Sequence, residues 1–125
     1  MLQSYKELTV WQKGVMLSIA TYRLTNSFPQ SELYGITSQM RRAAVSIPSN
    51  IAEGYSRNHR REYIQFLRVA LGSGAELETQ LTIAKQLHLA TIENFSDTEQ
   101  LLEEVQKMLN KLINSIAVKA SNSKP

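Results

Sequence analysis

The stretch Arg41-Arg-Ala-Ala-Val-Ser-Ile-Pro-Ser-Asn-Ile-Ala-Glu-Gly54 decides how this chain is read. Together with the residues just before it, it places Ile36, Met40, Ala43, Ile47 and Ile51 at spacings of four, three, four and four, which is one face of a helix. Pro48 interrupts the stretch chemically, because it lacks an N–H and its ring crowds the preceding turn, at a cost of about 3 kcal/mol inside a helix. Two readings follow: a break near Ile47, or one kinked helix held by tertiary packing. The unbroken apolar stripe favours the second. Gly54 is then expected to end the helix as a C-terminal stop.

Working outward, three more segments share the helical period. The first runs from about Val10 to Asn26, with Leu8, Trp11, Val15, Ile19 and Tyr22 as its main stripe and Val10, Leu17 and Leu24 beside it. Thr9 with Gln12, or Ser4 with Glu7, supplies a capping box, and the dense stripe after Thr9 favours Thr9. Pro29 ends this segment. The third spans about His59 to Leu87, with Tyr63, Phe66, Leu67, Ala70, Leu77, Leu81 and Ala84 on its face. Gly72 and Gly74 lie inside it, each costing about 1 kcal/mol relative to alanine. The fourth is expected to start at a capping box in Ser96-Asp-Thr-Glu99 and to run through Leu101, Val105, Met108, Leu112 and Ile116. Four amphipathic segments on short links predict an all-α, antiparallel up-down-up-down four-helix bundle over residues 1–120, with 121–125 a frayed tail.

The totals agree with one domain. The chain has 125 residues, no cysteine and a formal net charge of +3. Disulfides and thiolate metal sites are excluded. No apolar run approaches the roughly 20 residues of a membrane span, and no signal-peptide core stands at the N-terminus, so a cytoplasmic protein without a membrane partner is expected.

Enzyme parts are missing from the pattern. A di-iron bundle needs Glu-x-x-His on its helices, and no glutamate here has a histidine three residues later. His59 and His88 stand alone and read as surface or capping residues, so no metal is predicted. The Gly72-Ser-Gly74 run has no phosphate-loop lysine after it. Glu76 and Glu78 are two apart and so face different ways. Glu76 is better placed to meet Gln39 and Arg42 across a helix pair. Asn50, at the stripe's edge, reads as buried and bonded. No catalytic residue and no cofactor is predicted.

The charge distribution carries the remaining signal. Arg41, Arg42, Arg57, Arg60, Arg61 and Arg68 fall in one segment against Glu53 and Glu62, while the last third is balanced or slightly acidic. Arg60 and Arg61 sit in the first turn of a helix, where acids are favoured. These six arginines are the candidate nucleic-acid contacts, since the guanidinium fork suits phosphate. Tyr55 and Tyr63 flank them as possible stacking groups. The alternative is a protein-binding adaptor in which the same arginines pair with carboxylates of a neighbouring subunit or another protein.

The segments "LTVWQKG", "FPQSELYGITSQMRRAAVSIPSNIAEGYSR" and "REYIQFLRVALGSGAELETQL" closely resemble the four-helix-bundle proteins encoded within intervening sequences of bacterial 23S ribosomal RNA genes. The resemblance covers about Leu8 to Leu89. The accessory variability protein of diversity-generating retroelements looks like a relative. The resemblance implies an antiparallel bundle assembled into a ring-shaped homopentamer. It also implies a non-enzymatic role, with RNA or DNA and a reverse transcriptase or other protein as partners of a basic surface. Carried onto this chain, that surface is Arg41, Arg42, Arg57, Arg60, Arg61 and Arg68.

Overall fold

The structure, a computed structural model, describes residues 3–122. Among them four long helices occur and no strand. These are α1 (Thr9–Asn26), α2 (Ser38–Ser56), α3 (Arg60–Gln86) and α4 (Ile92–Asn122). Most of the expected tail, 123–125, lies outside the described residues.

Helix α2 runs unbroken through Pro48, as the stripe predicts. Pro48 leaves the carbonyl of Ala44 without its N–H donor. The Ser18 hydroxyl of α1 faces that carbonyl at 3.0 Å and the Gly14 carbonyl at 3.1 Å. Gly14 faces the proline ring: a Cβ there would lie 3.3 Å from Pro48 Cβ. The cost of the internal proline is therefore offset by α1, which supplies a donor and a residue small enough to pack against the ring.

The same contact corrects the expected face of α1. Its buried residues are Val10, Gly14, Leu17, Ser18, Thr21, Leu24 and Thr25, whereas Ile19 and Tyr22 are 47% and 45% exposed. Small and hydroxyl residues fill the inner face because α2 approaches closely. Their polar atoms are inexpensive to bury, since Thr21 donates to Leu17 O and Thr25 to Thr21 O, both at 2.8 Å.

Three expected boundaries also differ. The capping box is Ser4–Glu7, which closes a 3-10 turn at Tyr5–Glu7, and α1 begins behind Leu8 with no side-chain cap. Helix α4 begins at Ile92, a turn before Ser96, because Phe95 is fully buried and packs on Phe28 with ring centroids 6.1 Å apart. Gly54 is interior to α2 and no glycine has positive φ. It is required by close approach: a Cβ there would lie 2.7 Å from Phe66 Cβ. The left-handed residue of the α2–α3 turn is Asn58, at φ 56°.

Each helix packs on its two neighbours, and α1 also packs on α4. Along three of these contacts the residue numbers of one helix rise as the other's fall. Gly14 meets Pro48 and Arg41 meets Thr25; Ser46 meets Ser73 and Gly54 meets Phe66. Gln106 reaches Leu71 O and Lys85 reaches Glu99. The centre is filled by Leu17, Met40, Ile47, Ile51, Leu67, Leu77, Val105 and Leu109, all fully buried. Asn50 is half-buried and bonded, donating to Ser46 O and Ser46 Oγ, with Ser46 Oγ 2.9 Å from Ser73 Oγ.

Candidate nucleic-acid interface

The contacts just described sort the charges by height along the bundle. A level through Gly14, Pro48, Ser73 and Gln106 divides it into two halves. On the side of the α2–α3 turn lie Lys6, Arg57, Arg60, Arg61, Arg68, Lys111 and Lys119, all exposed, against Glu7, Glu53 and Glu62. On the other side lie Glu32, Glu76, Glu78, Glu93, Asp97 and Glu99 against Arg23, Arg41, Arg42 and Lys85. At the dividing level Lys13 pairs with Glu104 at 2.7 Å and Lys107 with Glu103 at 3.0 Å. One half is basic and the other acidic.

The six candidate arginines therefore do not form one patch. Arg57, Arg60, Arg61 and Arg68 share the basic half. Arg60 donates to Lys119 O at 3.3 Å, which ties the start of α3 to the late part of α4. Arg57 pairs with Glu53 at 2.8 Å and lies over the Phe66 ring. Arg61 and Arg68 have no ion pair or hydrogen bond among the described residues, and both are exposed. Lys111 and Lys119 complete this half, and the sequence signal for them was available: after Glu104 the chain holds lysines and no acid.

Arg41 and Arg42 sit in the other half, facing α1. Arg41 is half-buried. Its Nε donates to Thr25 Oγ1 at 2.9 Å, its Nη2 to Asn26 Oδ1 at 3.1 Å, and its guanidinium lies 4.6 Å from the Tyr22 ring centroid. It joins the start of α2 to the end of α1. Arg42 is exposed and lines an open groove of about 490 Å³ with Tyr22, Tyr34, Ser38 and Val45. The expected approach of Gln39 and Arg42 to Glu76 does not occur; Glu76 accepts from Gln80 instead, at 3.3 Å. The reason is rotation: with Ala43 and Ile47 inward, Arg42 falls on the α1 side of α2.

The α2–α3 turn carries a second groove, of about 360 Å³, lined by Gly54, Tyr55, Asn58, His59, Arg60 and Tyr63. Tyr55 and Tyr63 meet edge to face at 5.9 Å. The Tyr63 hydroxyl is buried with no partner among the described residues, and burial, helped by Tyr55, pushes its pKa up to about 12. His59 precedes the first turn of α3, with Nδ1 4.0 Å from Glu62 Oε2, and is exposed like His88. Glu76 and Glu78 part as expected: Glu78 lines a groove with Glu99 and Glu103. Among the described residues no three metal-ligating side chains converge, and no helix is long and apolar enough to cross a membrane.

The fold has a solved counterpart. A crystal structure of a protein of unknown function from the S23 ribosomal protein family of Bacteroides thetaiotaomicron VPI-5482 is similar at TM-score 0.77 and 23% identity. The match covers 84% of this chain and 95% of that one, and it shows the fold. No curated protein matches. The model of the family described as 23S rRNA-intervening sequence protein matches residues 6–111. With the proline-bearing α2 and the four helices in place along that span, the chain belongs to the 23S rRNA-intervening sequence protein family.

Proposed function

We propose that this protein is a non-enzymatic, homo-oligomeric, up-down-up-down bundle of the cytoplasm that binds RNA or DNA without sequence preference through its basic half. The observation carrying the reading is that Arg61 and Arg68 are exposed and have no ion pair among the described residues, and share their half with the exposed Arg57, Arg60, Lys111 and Lys119. Exposed surface cations at this density suit phosphate backbone contact. The opposed residue order along the α1–α2, α2–α3 and α3–α4 contacts supports the antiparallel arrangement. Assembly would repeat one modest patch several times, so that avidity strengthens a weak single contact. Arg41 is no longer among the candidate contacts, because its guanidinium is engaged within the bundle.

The test is a titration with single-stranded and duplex RNA and DNA at several salt concentrations. Affinity should fall with a log–log slope of roughly one per phosphate contact. A chain that binds none of them at low salt sinks the reading.

The adaptor reading keeps one specific support. Met16, Ile19, Tyr22, Tyr34 and Val45 are all exposed on or beside α1, and Tyr34 is 95% exposed. Such a patch suits a protein surface. It occupies a different face from Arg61 and Arg68, so the two readings are compatible.

A further inference from the structure

The groove of about 490 Å³ between α1 and α2 lies in the half away from Arg61 and Arg68. Its walls are Tyr22 from α1, Leu33 and Tyr34 from the π-helical turn Leu33–Thr37, and Arg42 and Val45 from α2. Tyr34 is 95% exposed and makes no hydrogen bond or ring contact among the described residues. Tyr22 and Val45 are exposed as well. Gly35 leaves helical geometry, at φ −114° and ψ −118°, and so interrupts the coil just after Tyr34. A tyrosine ring held in water at this place adds nothing to the core, and a partner that covered it would gain its burial.

The groove is also cationic. Arg41 and Arg42 both line it, and no acid does. Glu32 reaches toward Gly35, where a Cβ would lie 3.7 Å from its Oε1, but it does not line the groove. Arg41 is fixed over the Tyr22 ring by Thr25 and Asn26, which makes it a held positive charge on one wall. Arg42 is exposed and has no hydrogen bond or ion pair among the described residues. Tyrosine and arginine are the residue types that carry most of the energy in protein contacts, and clustered arginines suit acidic motifs.

We infer that this groove docks a short acidic segment of another protein, with an aromatic or aliphatic side chain seated between Tyr22, Tyr34 and Val45 and a carboxylate on Arg42. The inference rests on the adaptor reading above and names the chemistry of its partner. Two guanidinium groups line one channel with no counter-charge, so a carboxylate is favoured over a neutral or basic segment. A nucleic-acid backbone is the poorer occupant. The half around the groove is acidic, and a polyanion carries its charge well beyond the channel. A short segment presents carboxylates only where the arginines stand.

The experiment uses the full chain and three labelled peptides. One alternates glutamate with phenylalanine, one has lysine in place of each glutamate, and one has serine in place of each phenylalanine. Fluorescence anisotropy gives the affinities, and amide NMR shifts locate the contact. The glutamate–phenylalanine peptide should bind and shift Tyr22, Tyr34 and Val45, and the other two should bind about tenfold more weakly or worse. Arg42→Glu and Tyr34→Ala should each lower its affinity by about tenfold or more. Neither change should unfold the chain, since Tyr34 is 95% exposed and Arg42 is bonded to nothing among the described residues; thermal melts check this. Arg61→Ala with Arg68→Ala should leave the peptide affinity unchanged.

A glutamate–phenylalanine peptide that fails to bind at low salt, or that shifts Arg61 and Arg68 instead, overturns the inference. So does equal affinity for the Arg42→Glu chain. A lysine peptide that binds as well, with shifts at Tyr22 and Tyr34, overturns the acid preference and leaves the adaptor surface standing. If no peptide shifts those residues, the adaptor reading fails with it. Two other occupants have their own signatures, and each overturns the inference. Shifts of Tyr34 and Arg42 by oligodeoxythymidine mark a nucleic-acid site, and loss of assembly in Tyr34→Ala by light scattering marks a contact between copies.

Discussion

The Ser18 hydroxyl lies 3.0 Å from the carbonyl of Ala44, the acceptor that Pro48 leaves without a donor. A proline in α2 is thus matched by a serine in α1. Ser18→Ala should destabilise the protein by about 1–3 kcal/mol, because a buried carbonyl loses the hydroxyl that takes the place of the missing N–H. In a Pro48→Ala background the helix regains the N–H, and the same serine change should cost at least about 0.5 kcal/mol less. Urea unfolding of the four chains measures this coupling, and equal costs in both backgrounds would refute the pairing.

Alanine at two glycines should act with opposite sign. Gly54→Ala places a Cβ 2.7 Å from Phe66 Cβ and 3.2 Å from Tyr63 O, so α2 and α3 must separate, at about 1–3 kcal/mol. Gly72→Ala meets open space and should stabilise by about 0.5–1 kcal/mol, by removing glycine's helix penalty. Thermal melts of the two variants compare them. Equal shifts would contradict the packing described.

Tyr63 gives a pH signature. Its native pKa of about 12 exceeds the ordinary 10.0, so between those values the unfolded chain loses a proton that the folded chain keeps. Stability should therefore be unaffected by this group below about pH 10 and fall as pH rises from about 10 to about 12, by less than the roughly 3 kcal/mol that two pH units represent, because the ring is only partly buried and solvent screens it. Tyr63→Phe removes an unpartnered buried hydroxyl, so at neutral pH it should be neutral or slightly stabilising. It should also flatten the alkaline loss. Alkaline denaturation followed by circular dichroism decides; a Phe variant that unfolds with an unchanged pH profile would exclude Tyr63 as its source.

Arg41 and Arg61 should separate stability from binding. Arg41→Ala removes two hydrogen bonds and a ring contact between α1 and α2 and should cost about 1–3 kcal/mol, with RNA affinity per folded chain nearly unchanged. Arg61→Ala with Arg68→Ala should leave the melting temperature within a few degrees and lower the salt slope by about two. Fluorescence anisotropy with labelled RNA, beside thermal melts, distinguishes the pairs. The reverse pattern would move the interface to the Arg41 end.

The α2 stripe and the α3 face were legible in the sequence because Met40, Ala43, Ile47 and Ile51, and Leu67, Ala70, Leu77 and Leu81, repeat at the helical period and point to one core. The α1 face misled the same reasoning. Hydrophobicity ranks Ile19 and Tyr22 above Gly14, Ser18 and Thr21, yet close approach of Pro48 needs small side chains inward, and their hydroxyls bond to carbonyls of the helix or its neighbour. Ser96-Asp-Thr-Glu99 has the composition of a cap, but burial of Phe95 extends α4 past it.

What the sequence by itself determined is the helical content, the continuity of α2 across Pro48 and the supply of arginines, because these depend on local spacing and residue chemistry. What only the tertiary structure decided is which charges share a half. Arg42 and Arg57 are close in sequence, but α2 rises along the bundle between them and carries them to opposite halves. Lys119 is distant from Arg60 in sequence and adjacent in space, because α4 returns alongside α3. Helix rotation is likewise a property of packing: the partner's shape fixed which side of α1 turned inward, and so left Met16 and Ile19 outside.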